Sequence, residues 1–191
     1  MCNFEFLESL TSLPKPSDLE ALKVGLEHLN DAANASADSV LPERLKRLLS
    51  NEKARELINS ILANSPYLTW CATLEPNFFC SILESGPDQA ALITLKLLED
   101  KKKEILNEAE IARLLRVTKR RISLTIAIAD ISGYWPLEKI TGMLSELASA
   151  CLSGAASYLL REMEKNGGIV LPYPENPEEG SGLVILGMGK Y

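Results

Sequence analysis

The sequence predicts a mainly α-helical protein, in which a helical bundle leads into the first strand of a truncated α/β domain. Three observations support this fold class. Alanine and leucine are plentiful and aromatic residues make up only 6% of the chain, a composition that favours helices. Apolar residues recur at spacings of three and four along most of residues 1–168. The pattern changes at Leu183–Leu186, a short apolar run typical of a strand buried on both faces.

The first half of the chain predicts short helices after an irregular lead-in. Residues 1–17 are expected to be irregular because Pro14 and Pro16 block regular structure. The spacing of Ser17–Glu20 is that of a capping box, which predicts a helix from there to about Asn30. The next predicted helices cover residues 41–49 and 52–62, with Ser50-Asn51 as a capping pair between them, and prolines mark two further short helices at 67–71 and 76–83.

Longer helices are predicted in the second half. Glycine and proline break the chain at 85–87, and Gly167-Gly168 ends the last helix. The predicted helices cover residues 88–103, 108–131 and 136–165. Small residues at 148–156 indicate that a neighbour packs closely against the last helix. One apolar stripe along that helix consists of Leu137, Ile140, Leu144, Leu147, Cys151, Ala155 and Tyr158.

A linker separates the helices from the C-terminal strand. Residues 169–181 contain three prolines and three glutamates, a composition typical of a loop. The predicted organisation is therefore an N-terminal helical domain at 1–168, a linker at 169–181 and the start of a truncated domain at 182–191.

Charge and cysteine usage exclude several classes of function. The net charge is −6, so the chain has no general attraction to nucleic acid or to anionic membranes. Its four cysteines form no CxxC pair and it has one histidine, which makes a structural zinc site improbable. The N-terminus lacks a secretion signal, and no apolar stretch approaches the roughly 20 residues that cross a bilayer. We therefore expect reduced, mostly buried thiols in a cytoplasmic protein.

The most informative motif is the glycine turn after the predicted strand. Gly187 and Gly189 allow the backbone to turn sharply and approach a ligand, most often a phosphate, and Lys190 adds a positive charge there. A tight turn without a ligand is the alternative. A dinucleotide fold would need a third glycine beyond the end of the chain. A Walker loop is rejected because Met188 stands where its lysine belongs.

A second motif is a basic cluster on one predicted helix. It consists of Arg113, Arg116, Lys119, Arg120 and Arg121. Such a cluster is usually a solvated or salt-bridged helix face, and the functional alternative is contact with a phosphate or an acidic partner. Asp130, in an otherwise apolar stretch, is expected to form an ion pair or to lie at a wet helix end. The sequence contains no arrangement of a catalytic triad, paired acid–base carboxylates or clustered metal ligands.

Four stretches together carry a resemblance to a known family. They are Asn64–Leu68 with Glu75-Pro76, Leu114–Arg121, Ile126–Ile131 with Trp135–Leu137, and Leu183–Lys190. In this order they resemble the bacterial bifunctional glutamine synthetase adenylyltransferases/adenylyl-removing enzymes. The resemblance covers roughly residues 50 to 191, and its most specific motif is the strand with the glycine turn.

The resemblance implies a nucleotidyltransferase fold of the polymerase-β type starting near Gly182. Gly187, Met188, Gly189 and Lys190 match the family's turn, which would hold nucleotide phosphates against backbone N–H groups. The family's metal-binding Asp-x-Asp pair is expected beyond Tyr191, so no catalytic or metal-binding residue is assigned within the chain. The full-length enzyme would use Mg²⁺ and ATP or ADP, and none of these is expected to bind this fragment.

The family carries two such catalytic units. The position of this turn after one helical domain indicates the first unit, which removes AMP from glutamine synthetase by phosphorolysis. Glutamine synthetase and a PII-type signalling protein are the implied partners, and nucleic acid and membranes are not. The isolated chain is expected to be inactive, with residues 182–191 loosely packed on the helices or poorly ordered. A non-enzymatic helical scaffold and a fragment of another nucleotidyltransferase remain the alternatives.

Overall fold

A computed structural model describes residues 5–104 and 107–187 of the chain. These residues form nine α-helices and contain no strand. The mainly α-helical prediction is therefore confirmed, whereas the strand predicted at Leu183–Leu186 is absent. The helices are α1 (Glu5–Glu8), α2 (Leu19–Asn34), α3 (Leu41–Ser50), α4 (Glu52–Asn64), α5 (Pro66–Leu74), α6 (Pro76–Ser85), α7 (Pro87–Lys101), α8 (Glu108–Ile131) and α9 (Leu137–Lys165).

The chain divides into two compact units. Unit 1 comprises residues 1–91 and 121–140, and unit 2 comprises residues 92–120 and 141–191. Unit 1 therefore contains α1 to α6, the first turn of α7, the second half of α8 and the first turn of α9. Unit 2 contains the rest of α7, the first half of α8 and most of α9.

Unit 1 is built around a continuous apolar core. Helix α4 supplies one of its buried faces, because Leu57, Ile58 and Ile61 recur at helical spacing and are fully buried. Phe79 of α6 is the largest of the fully buried side chains in this core. The late part of α8 contributes Leu124 and Ile128 to the same core.

Capping residues explain where several helices of unit 1 begin. Asn51 accepts a hydrogen bond from the Ala54 backbone N–H at 3.0 Å and starts α4, as predicted. For α2 the cap is Asp18, one residue after the predicted Ser17, because the Asp18 carboxylate accepts bonds from two backbone N–H groups at 3.0 and 2.9 Å. Helix α2 also continues to Asn34 rather than ending near Asn30.

The lead-in is more ordered than the sequence predicts. Residues Glu5–Glu8 form the short helix α1, and Phe6, Leu7 and Leu10 are buried in the core of unit 1. The Phe6 ring also meets the Tyr134 ring edge to face, with centroids 5.0 Å apart. The prediction of an irregular segment over residues 1–17 is therefore wrong at Glu5–Glu8. Burial of apolar side chains stabilises this helix, and its four residues are too few to show a helical periodicity in the sequence.

A charged cluster ties α3 to α6 within unit 1. The Arg44 guanidinium donates to both oxygens of Glu84, the closest at 2.7 Å, and to Asn77 at 2.7 Å. Arg47 donates to the same carboxylate at 2.8 Å. Nearby, burial raises the pKa of the Cys80 thiol to about 12. Cys71 and Cys80 are buried free thiols, as predicted, and Cys151 is partly buried.

Unit 2 depends on close packing of α9 against α7 and α8. A side chain at Gly154 would bring its Cβ atom within 3.2 Å of Leu115 and 3.7 Å of Leu98. This confirms the close helix contact that the small residues predicted. The predicted apolar stripe of α9 is only partly buried. Leu147 is 7% exposed, but Leu137 and Leu144 are 71% and 49% exposed. The buried face of α9 is therefore narrower than the predicted stripe.

The structure differs from the expectation that no apolar stretch could cross a bilayer: by length and composition alone, α9 counts as a candidate membrane span, with a mean hydropathy of 1.2. The core helix of a soluble protein passes the same test. Three polar side chains of α9, Ser153, Ser157 and Arg161, form hydrogen bonds within unit 2.

Candidate functional site

The segment before the glycine turn lies along α9 in unit 2. Leu183 and Ile185 are each 49% exposed, whereas Val184 and Leu186 are 75% and 80% exposed. Two side chains of this segment, Leu183 and Ile185, line a cleft of about 310 Å³ together with Leu152 and Ala156 of α9. This alternation is the side-chain pattern of an extended strand. No sheet forms there, because the described residues supply no partner strand to pair with its backbone.

The predicted phosphate-binding turn is only partly described. Gly187 is exposed and lines the same cleft as Leu183 and Ile185. Met188, Gly189 and Lys190 lie outside the described residues. The expectation that the segment packs loosely on the helices holds for Leu183–Leu186, and the phosphate-binding role of the turn stays a prediction.

The linker that precedes the turn is attached to α9 by a carboxylate. Glu178 accepts hydrogen bonds from the Ser153 hydroxyl at 2.9 and 3.1 Å and from the Ser157 hydroxyl at 2.5 Å. The ammonium of Lys102 donates to the Ser153 oxygen at 2.9 Å. This Glu178 clamp fixes the chain nine residues before Gly187.

Other contacts of the linker are close as well. Leu171 is 4% exposed, and its backbone N–H donates to the Glu164 carboxylate at 2.9 Å. Gly180 has a φ of +69°, and a Cβ atom there would lie 3.3 Å from the Pro172 ring. The Glu178 clamp was not predicted from the sequence. Ser153 and Ser157, four residues apart on one helix face, were its only signal.

Loss of the Glu178 clamp should release the linker. We expect Glu178→Gln to speed exchange of the Leu171 and Leu183 backbone amides about tenfold to thirtyfold, because two hydroxyl bonds to a charged group are weakened. The matched control is Glu175→Gln, which removes the same charge from an exposed linker position. Amide hydrogen exchange measured by mass spectrometry would give both values. Equal exchange in the two variants would show that the clamp does not hold the linker.

The side chains of the basic cluster of α8 differ in their contacts and exposure. Arg121 contacts Glu75 at 2.5 Å and lies over the Phe78 ring at 4.9 Å, so the salt-bridged interpretation is correct for this residue. Arg113 and Arg116 are exposed, as is Lys119. Asp130 is exposed near the end of α8, which agrees with the wet helix end and not with a buried ion pair.

A larger cleft of about 490 Å³ lies in unit 1 between α2 and α5. Trp70 on its wall is 51% exposed. The polar side chains there serve the fold. The Asp18 carboxylate caps α2, and the Asn64 amide bonds to the backbone of Ser17 and Lys15. This cleft therefore holds no constellation that points to chemistry.

Metal-binding groups are not brought together in the described parts of the chain. Residues 5–104 and 107–187 contain no group of three or more His, Cys, Asp or Glu side chains that could hold a metal ion. Among these residues, no set of side chains could therefore surround a magnesium ion with oxygen ligands by itself.

Comparison with known families gives one clear match. The profile of the family described as glutamate-ammonia ligase adenylyltransferase matches residues 55–191. The matched region begins within α4 and includes the cleft along α9 and the glycine turn. No solved structure gives a significant match to the chain.

Curated relatives match over a similar region. A protein of Bradyrhizobium diazoefficiens is 38% identical over 152 residues, which are 77% of this chain and 15% of that protein. One of Rhodopseudomonas palustris is 38% identical over 70% of the chain, and one of Brucella suis 32% identical over 75%. All three are named bifunctional glutamine synthetase adenylyltransferase/adenylyl-removing enzyme. The matches cover only about 13 to 17% of the length of such relatives.

Proposed function

Because the chain belongs to the glutamate-ammonia ligase adenylyltransferase family, we propose that it is the N-terminal helical part of an enzyme that attaches AMP to glutamine synthetase and removes it. The names of the relatives, which join an adenylyltransferase to an adenylyl-removing enzyme, support both directions of the reaction. The observation that carries the proposal is the family match over residues 55–191, which includes the glycine turn.

The proposed role of the turn at 187–190 is to hold nucleotide phosphates. Backbone N–H groups at Gly187, Met188 and Gly189 would bind phosphate oxygens, and the Lys190 ammonium would neutralise their charge. The exposed position of Gly187 beside the α9 cleft supports this role, because a phosphate could reach the turn from solvent. The Glu178 clamp supports it too, since it attaches the approach to the turn to α9.

The unit that this turn would serve is the AMP-removing one. The names of the relatives, which include an adenylyl-removing enzyme, support a unit of this kind. In the proposed reaction, phosphate attacks the phosphorus of the AMP group on glutamine synthetase. The bond to the protein oxygen breaks, and ADP leaves. Lys190 and the turn would bind and orient the phosphate groups during this transfer.

We assign Mg²⁺ and ATP or ADP to the whole enzyme rather than to residues 1–191. The described residues do not fit the metal, and the printed sequence contains no Asp-x-Asp pair. Carboxylates elsewhere in the enzyme would hold Mg²⁺, which supplies charge stabilisation for phosphoryl transfer when it is bound.

The remaining parts of the proposal concern partners and location. We propose glutamine synthetase as the protein substrate, a PII-type signalling protein as the regulator and the cytoplasm as the location. Nucleic acid and membranes are not proposed as partners, and the net charge of −6 supports their omission.

The proposal predicts a clear difference between the isolated chain and the whole enzyme. Residues 1–191 alone should release no AMP from adenylylated glutamine synthetase in the presence of phosphate and Mg²⁺, because their sequence contains no Asp-x-Asp pair to hold the metal. The full-length enzyme should do so under the same conditions. Chromatographic detection of ADP formed from adenylylated glutamine synthetase measures both. ADP formation by the isolated chain would refute the proposal that the metal-binding part of the site lies outside residues 1–191. An inactive full-length enzyme would refute the proposed function.

A further inference from the structure

Three basic side chains of α8 form an exposed face in unit 2. Arg113, Arg116 and Lys119 follow one another at intervals of three residues, and all are exposed. Six residues of helix span about 9 Å, so three positive charges lie within that distance along the axis. We refer to Arg113, Arg116 and Lys119 as the basic face.

The basic face lacks the ion pairs that other cations of unit 2 have. Lys101 contacts Glu104 at 2.8 Å, and Lys102 contacts Glu99 at 2.9 Å. By contrast, no carboxylate among the described residues lies within 4.0 Å of the charged groups of the basic face. Like charges on neighbouring turns of a helix repel one another, so this arrangement costs stability in the isolated chain. An external acidic partner would remove that cost.

The surroundings of the basic face favour a compact acidic partner over a nucleic acid strand. Glu108 and Glu110 are exposed one turn before Arg113 on the same helix. Their carboxylates would repel a phosphate backbone that continued along α8, and the whole chain carries a net charge of −6. The described residues of α8 also include no aromatic side chain on which a base could stack.

We propose that the basic face binds an acidic patch on the surface of the protein substrate, so that charge complementarity guides that substrate to the enzyme. This inference rests on the proposed function, which makes glutamine synthetase the substrate. Exposed charges of this kind act mainly on encounter and on weak binding, and salt screens them. The basic face should therefore affect the KM for glutamine synthetase and leave the KM for phosphate unchanged.

The test is steady-state kinetics of AMP release by the full-length enzyme. The triple variant Arg113→Gln, Arg116→Gln, Lys119→Gln is compared with a control triple variant, Lys15→Gln, Lys23→Gln, Arg55→Gln, which removes three exposed positive charges from unit 1. At about 50 mM salt we expect the basic-face variant to raise the KM for adenylylated glutamine synthetase about tenfold, and at about 300 mM salt less than about threefold.

The other results distinguish failure of this inference from failure of the proposed function. An unchanged KM for glutamine synthetase in the basic-face variant, with an active parent enzyme, would overturn this inference and leave the proposed function intact. Equal changes in the two triple variants would also overturn it, because they would reflect net charge alone. A lower kcat with an unchanged KM for glutamine synthetase would overturn it as well, because the basic face would then act on a step after the protein substrate has bound. Salt-sensitive binding of duplex DNA that the variant loses would identify nucleic acid as the partner. An inactive parent enzyme would instead refute the proposed function.

Discussion

Replacing Gly189 with valine in the full-length enzyme is expected to lower phosphate-dependent release of AMP from adenylylated glutamine synthetase about a hundredfold or more. The branched side chain would occupy the space in which backbone N–H groups meet a phosphate, and it would restrict the backbone of the turn. The backbone N–H groups remain in this variant but would no longer reach the phosphate, and loss of one such hydrogen bond to developing negative charge typically costs about a hundredfold to a thousandfold in kcat. The rate of ADP formation at saturating substrate measures the effect.

The control for this prediction uses another glycine. Gly142 is exposed on α9, and a Cβ atom there meets nothing within 4 Å, so Gly142→Val tests the same chemical change in open space. Activity of the Gly142→Val enzyme should stay close to that of the parent. If Gly189→Val is as active as Gly142→Val, the turn does not bind a phosphate that takes part in the reaction.

The second large effect concerns the core of unit 1. Phe79→Ala should destabilise the chain by about 3 to 5 kcal/mol, because a fully buried aromatic ring is removed and a cavity remains. Urea unfolding of residues 1–191, followed by circular dichroism, measures the change in the free energy of unfolding. This is a large share of the roughly 5 to 15 kcal/mol that stabilises a typical domain, so unit 1 should unfold at a clearly lower urea concentration.

An exposed apolar residue provides the comparison for Phe79. Leu74 is 50% exposed at the end of α5, and Leu74→Ala should cost only about 1 kcal/mol, since half of its surface already contacts water. Similar losses in the two variants would contradict the arrangement of the core, in which Phe79 is central and Leu74 peripheral.

Local signals made most helices of this chain predictable. The ends of α8 at Glu108 and Ile131 agree with the sequence prediction, and the Asn51 cap was recognised from its position between two periodic segments. Helix α1 was missed because its four residues are held by burial of Phe6 and Leu7, which only the folded core reveals. The family resemblance was predicted from four short motifs, and the profile match over residues 55–191 confirms it.

Features that depend on distant partners could not be predicted in the same way. A strand at Leu183–Leu186 needs neighbouring strands to pair with its backbone, and the described residues contain none. The Glu178 clamp joins residues 21 and 25 positions apart, so the spacing of Ser153 and Ser157 did not identify the carboxylate that they bind. Exposure along α9 likewise depends on which neighbours cover each side, and apolar spacing alone overestimated the buried stripe.

The central claim, that the turn at 187–190 belongs to the AMP-removing unit, is tested most directly by measuring both reactions of the full-length enzyme carrying Lys190→Ala. Phosphate-dependent AMP release and ATP-dependent AMP attachment would be followed on the same preparation of glutamine synthetase. We predict that AMP release falls about tenfold or more while AMP attachment stays within about twofold of the parent. A fall in AMP attachment with unchanged AMP release would contradict the claim.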